Sequence, residues 1–147
     1  GREVQKMNDV PIPQGKYKPA VRFKDLIFTS GMTPRLNGKL AYCGKVKADA
    51  DPQIYKEAVY LAAGNAFAAA SGLLNGDEKI AAIVSITVYI NAEEGFALHA
   101  KIGDLASDYF VQILKERGIG VRAAIGAATL PGGAPVEIQI IAAAEKI

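Results

Sequence analysis

The chain has 147 residues, half of them hydrophobic, and a formal net charge of +2. This suits one domain (1–147) with a core of ordinary size and excludes the dense basic stripe of a dedicated nucleic-acid binder. A single cysteine, Cys43, excludes an intrachain disulfide framework, and with one histidine, His99, it argues against a metal site built from those ligands. The longest apolar run, 80–90, is broken by Ser85 and Thr87 and is too short to cross a bilayer, so the expectation is a cytoplasmic protein with no membrane attachment and no structural metal.

Residues 1–16 place Pro11, Pro13 and Gly15 among polar neighbours and read as an irregular arm that Tyr17 ends. A short strand from Val21, a turn at Lys24-Asp25 and a second strand over Leu26-Ile27-Phe28-Thr29 follow, so Ser30 and Gly31 fall at a strand end. Residues 32–39, with Asn37-Gly38, read as a loop or hairpin tip, and 42–46 as a short edge strand. Asp51-Pro52 starts a helix, because the carboxylate accepts from orphan N–H groups and proline at the first position loses nothing. The helix is expected to run to about Ser71, with Ile54, Ala58, Leu61, Ala62, Asn65, Ala69 and Leu73 on one stripe. Asn65 interrupts that stripe; a buried amide needs partners, and it reads as the anchor of an adjacent loop.

Residues 79–91 alternate as a strand, with Ile80, Ala82, Val84, Ile86, Val88 and Ile90 on one face and Ala81, Ile83, Ser85, Thr87 and Tyr89 on the other. Residues 96–117 form the second helix, with Leu98, Ile102, Leu105, Tyr109, Ile113 and Leu114 inward. Residues 118–147 read as a β-hairpin around residues 130–135. With Thr129 facing Val136, Ile125 stands across from Ile140 and Ala127 across from Ile138. One face is then Val121, Ala123, Ile125, Val136, Ile138 and Ile140. The other carries Arg122, Glu137 and Gln139 among small residues, with Arg122 and Glu137 roughly 20 Å apart at about 3.3 Å per residue. They are either two solvated charges on an exposed sheet face or, if a neighbouring copy brings its hairpin alongside, the two sides of a site between subunits. The layout is α+β, with both helices on one face of a mixed sheet and the half-polar back turned to partner subunits.

These residues resemble the RidA/YjgF family, the reactive-intermediate deaminases also called endoribonuclease L-PSP. The carriers are Tyr17, Leu26-Ile27-Phe28-Thr29-Ser30-Gly31 followed by Pro34, the helix with Asn65, and Val121-Arg122-Ala123-Ala124 followed by Leu130-Pro131 and Val136-Glu137-Ile138. The resemblance implies a chorismate-mutase-like fold and a homotrimer whose sheets form a central barrel with clefts between subunits. It also implies hydrolysis of a 2-imino acid or its enamine to a 2-keto acid and ammonia, without metal or cofactor. By the same resemblance Arg122 holds the substrate carboxylate, Glu137 places the water, Tyr17 lines the cleft, and Ser30, Gly31 and Ala123 bind substrate. Met32 and the 104–107 segment depart from the deaminase pattern, and the chain is similar to a longer branch of the family.

The chemistry fits the residue types. An arginine fork takes a carboxylate through two parallel hydrogen bonds, and a glutamate orients or deprotonates water beside an already electrophilic C=N carbon. A non-catalytic trimer that binds small carboxylates would use the same cleft. A ribonuclease would need a basic track; the nearest cluster, Lys16, Lys18, Arg22 and Lys24, reads as a solvated rim. Cys43 reads as a packing residue, and His99 as part of a helix face.

Overall fold

The computed structural model describes residues 8–147, so positions 1–7 of the expected arm lie outside it. Apolar alternation builds a mixed five-stranded sheet from β1 (Ala20–Phe23), β2 (Leu26–Thr29), β5 (Glu78–Asn91), β6 (Val121–Ala127) and β7 (Val136–Lys146), in the order β1-β2-β7-β5-β6. Among the described strands only β5 and β6 pair in parallel. A two-stranded ribbon, β3 (Arg35–Leu36) and β4 (Lys39–Leu40), turns at Asn37 and Gly38, both with positive φ as a tight hairpin requires. The edge strand expected over 42–46 does not form; Val46 makes one isolated bridge to Ala92.

One sheet face, with Ile27, Ile86, Val88, Ile90, Ile138 and Ile140, is buried beneath helices α1 (Lys56–Ser71) and α2 (His99–Leu114). Each such side chain contributes about 1.5–3 kcal/mol by leaving water. The opposite face leaves Val21, Phe23, Leu26, Phe28, Val121 and Ile125 exposed beside Thr87, Tyr89 and Gln139. Two exposed apolar groups, one on β1 and β2 and one on β6, thus flank the polar Ser85, Thr87 and Gln139 at the middle of this face.

Helix α1 is buried around nearly its whole circumference, since Ala58, Ala62, Ala63, Ala66, Ala68, Ala69 and Ala70 let neighbours approach from several sides. The expected stripe is corrected at its start: Ile54 belongs to a 3-10 turn over Pro52–Tyr55, whose shorter period turns it outward to 65% exposure. Asp51 caps that turn by accepting from the Gln53 N–H at 3.0 Å. Asn65 does anchor a loop, donating to the carbonyls of Thr33 and Arg35 at 3.1 and 2.9 Å and accepting from Asn8 Nδ2 at 2.8 Å.

Three further sequence expectations, all about the long strands, are overturned. First, β5 does not alternate without interruption. Register shifts between Ile80 and Ala82 and between Ile83 and Ser85 bury Ala81 and Ile83 and turn Val84 out. Second, β6 and β7 are not a hairpin. They flank β5, with Ile86 facing Arg122 on one side and Ile140 on the other, so residues 128–135 step over the end of β5, a distance of about 10 Å at two strand spacings. Buried Asn91 holds that crossing: its N–H donates to Pro135 O at 2.9 Å and its side-chain amide to Ala134 O at 3.1 Å. Third, Arg122 and Glu137 do not share a face. Arg122 lies in register with inward Ile86, whereas Glu137 lies in register with outward-side Tyr89.

Arg22, read from sequence as part of a solvated rim, instead joins β1 to the start of β5. Its guanidinium donates to both Glu78 oxygens at 2.6 and 2.7 Å, and the Asn75 N–H adds a third bond to that carboxylate. The Arg22 bonds, followed by the Asn75 bond, lower the Glu78 pKa from 4.5 to about 2. Because the folded-state value is depressed, this pair stabilises the fold above the unfolded carboxylate pKa and stops doing so as pH falls from about 4.5 to 2. Glu78→Gln is therefore expected to lower the melting temperature at pH 7 and leave it closer to wild type at pH 2.5. Equal losses at both pH values in thermal melts would contradict the pairing.

Candidate active site

The first half of the site forms where β2 leaves the sheet. Pairing stops at Phe28–Ile141 and resumes at Met32–Ile138, one residue longer on the β2 side, so Thr29 to Gly31 make a bulge beside Glu137. Thr29 Oγ1 fills the gap by accepting from the Ile140 N–H at 3.0 Å. Ser30 Oγ donates to Lys18 O at 2.6 Å and its N–H to Pro19 O at 2.9 Å, tying the bulge to the segment that carries Tyr17. Tyr17 is 46% exposed, and its hydroxyl accepts from the Gln14 N–H at 3.1 Å.

Glu137 lies against Gly31 so closely that a Cβ there would sit 2.4 Å from Oε2. The carboxylate is partly buried, has no hydrogen-bond or ion-pair partner among the described residues, and burial pushes its pKa up from the ordinary glutamate value.

The second half lies on the sheet edge. Strand β6 has β5 on one side and no strand among the described residues on the other, and its inward residues Arg122, Ala124 and Gly126 run beneath α2. Arg122 Nη1 donates to Asp104 Oδ1 and Ser107 Oγ, each at 3.0 Å, and Nη2 to Ala100 O at 3.4 Å. Ala100, Gly103, Asp104 and Ser107 follow helical three-and-four spacing and present one face of α2 to the guanidinium. Gly103 makes the close approach possible, because a Cβ there would stand 2.9 Å from Arg122 Cζ.

The structure thus brings together Tyr17, Ser30, Gly31 and Glu137 in one region of the chain and places Arg122 elsewhere. Across β5 the Arg122 and Glu137 Cα atoms are about 14 Å apart, two strand spacings sideways and three residues along. Ala123 points to the open face with Thr87 and Gln139, away from Arg122. Asp104, Ser107 and Gly103 were missed as parts of the site. Their signal was the small-and-polar stripe on α2, visible in sequence only as a departure from the deaminase pattern. His99 packs edge-on against Phe96 with ring centroids 5.0 Å apart, and Cys43 is exposed, its thiol donating to Gly132 O at 3.3 Å. No helix among the described residues is long and apolar enough to cross a membrane.

An α+β protein with a mixed sheet and two long helices on one face has the YjgF-type fold. Residues 7–144 match the endoribonuclease L-PSP family, and the chain belongs to it. Among solved structures it is similar to Atu1372 of Agrobacterium tumefaciens, a protein of unknown function, with 31% identity, a TM-score of 0.82, and coverage of 92% of this chain and 86% of that one. A Shewanella oneidensis protein solved as a candidate endoribonuclease gives 28% identity and a TM-score of 0.82 over 94% and 91%. Escherichia coli TdcF, solved with bound serine, shares the fold at 24% identity and a TM-score of 0.60 over 92% of each chain. No curated protein sequence matches the chain.

The Gly31–Glu137 contact predicts a coupled pair. Gly31→Ala is expected to cost about 1–3 kcal/mol through overpacking, and most of that cost should disappear in the Gly31→Ala, Glu137→Ala double variant. Additive losses in denaturant unfolding would show that the two residues do not touch.

Proposed function

We propose that the chain hydrolyses reactive 2-imino acids or their enamines to 2-keto acids and ammonia, in clefts between the subunits of a homotrimer. The observation that carries this reading is the Glu137 carboxylate, partly buried with no hydrogen-bond partner or cation among the described residues. Such a group is costly in an isolated chain, and a cation and a polar ligand supplied across a subunit boundary remove the cost. The exposed apolar sheet face and the free edge of β6 give the assembly its surface, and that edge carries Arg122.

In the assembled cleft Arg122 binds the substrate carboxylate through the part of its fork that α2 leaves free. Glu137 of another subunit orients water toward the C=N carbon and takes its proton as the C–O bond forms. That proton then goes to the nitrogen; the C–N bond breaks, ammonia leaves, and Glu137 takes the remaining hydroxyl proton as the carbonyl forms. Tyr17 borders the cleft and Gly31 lets the carboxylate lie close to the backbone. Positioning and charge suffice because an iminium carbon is already electrophilic. A trimer that binds small carboxylates without turnover uses the same two halves, and it is favoured to the extent that Asp104 already compensates Arg122. The ribonuclease reading is weakened by Arg22, which Glu78 holds away from any phosphate track.

The test is release of keto acid from an enzymatically generated 2-imino acid. Wild-type protein should accelerate it, Arg122→Ala should remove most of the gain, and Glu137→Gln should lower the rate by about 10²–10⁴. Imine decay that is unchanged by added wild-type protein contradicts the deaminase reading. RNA cleavage that persists in Arg122→Ala after high-salt purification would restore the nuclease.

A further inference from the structure

The guanidinium of Arg122 is neither free nor fully engaged. Asp104 and Ser107 take both Nη1 N–H groups and Ala100 O takes one from Nη2, which leaves Nε–H and a second Nη2 N–H without partners among the described residues. Those two donors lie on one edge of the planar fork, the geometry a single carboxylate accepts bidentately. Asp104 stands at the same place with its side chain 58% exposed, and its Oδ2 has no partner among the described residues. Any ligand seated on the free edge therefore meets one positive charge already accompanied by one negative charge, with a carboxylate oxygen still able to accept a hydrogen bond.

We propose that Asp104 is the specificity-determining residue of the arginine half-site: it holds the local net charge near zero, so the site accepts a ligand with one carboxylate and a neutral or cationic nitrogen and rejects one with a second negative charge. This rests on the small-carboxylate reading given above and adds the substrate class to it. Ser107 and Gly103 are positioning residues, the first by fixing Nη1 and the second by admitting the guanidinium against the helix backbone. A second carboxylate brought within about 6 Å of Asp104 is repelled by it while gaining little from an arginine that is already compensated. An iminium or ammonium nitrogen on the ligand instead donates to Oδ2.

The experiment measures binding of 2-oxobutanoate, with one carboxylate, and 2-oxoglutarate, with two, by isothermal calorimetry on the assembled protein. Wild type should favour 2-oxobutanoate. Asp104→Asn preserves shape and removes the charge, and should shift the preference toward 2-oxoglutarate by roughly tenfold, the size expected of one charge in a partly solvated cleft. The shift should shrink in high salt. Ser107→Ala should weaken both acids together and leave their ratio alone, which separates positioning from charge selection. An unchanged ratio in Asp104→Asn, with both acids lost in Arg122→Ala, overturns the role of Asp104 and leaves the carboxylate site standing. Binding of either acid that is unaffected by Arg122→Ala, or of neither acid to wild type, overturns the underlying reading itself. Melting curves of Asp104→Asn and Asp104→Ala confirm that the compared proteins are folded.

Discussion

Strand β5 lies between the two strands that carry the candidate chemistry, and most of what the molecule can do follows from that placement. Had β6 and β7 paired directly, Arg122 and Glu137 would have stood on a common sheet surface. With β5 inserted, Arg122 is drawn in beneath α2 and Glu137 is left at the β2 bulge, about 14 Å away. The crossing that enforces this is held by Asn91, whose backbone and side-chain amides both bond the 134–135 segment as it passes over the end of β5. A buried asparagine with its hydrogen bonds made is strongly position-specific, because moving the loop leaves several polar groups unsatisfied at once.

The same placement makes β6 an edge, and an edge strand is normally protected. Here it is seven residues with Arg122 as its one charged or polar side chain, and its outward side chains Val121 and Ile125 are 71% and 47% exposed. A second exposed apolar group, Phe28, Phe23 and Val21, lies at the other side of the same face, beyond Thr87 and Gln139. A surface of this kind is suited to burial against other copies of the chain, and assembly would bring the two incomplete halves of the site toward each other. The helix side of β6 is prepared separately: small residues on α2 and β6 let the helix sit close, and the close fit orients the guanidinium before a ligand arrives.

Much of this was legible in the residues. The strand end before Ser30-Gly31, the capping of the 3-10 turn by Asp51 ahead of α1, and the anchoring role of Asn65 all follow from local chemistry, and local chemistry decided them. The terminal hairpin was misread because local chemistry cannot distinguish a turn between adjacent strands from a bridge over a third; both need proline, glycine and a break in alternation. Asn91 was the missed sign, a polar residue ending an apolar strand where a crossing loop would need donors. The bulges in β5 were hidden because Ile83 and Val84 are both β-branched and either could face the core. The pairing of Arg122 with Asp104 and Ser107 depends on which strand α2 covers, and no spacing within the helix specifies that.

The central claim is that one site is built from two chains, and subunit mixing tests it most directly. Arg122→Ala and Glu137→Gln proteins, each inactive toward 2-imino acids alone, are unfolded together in equal amounts and refolded. If each cleft takes its arginine and its glutamate from different subunits of a trimer, mixed assemblies regain one intact cleft apiece and the sample recovers about a quarter of wild-type activity. Recovery of none, with mixed assemblies demonstrated by native mass spectrometry, would contradict the account.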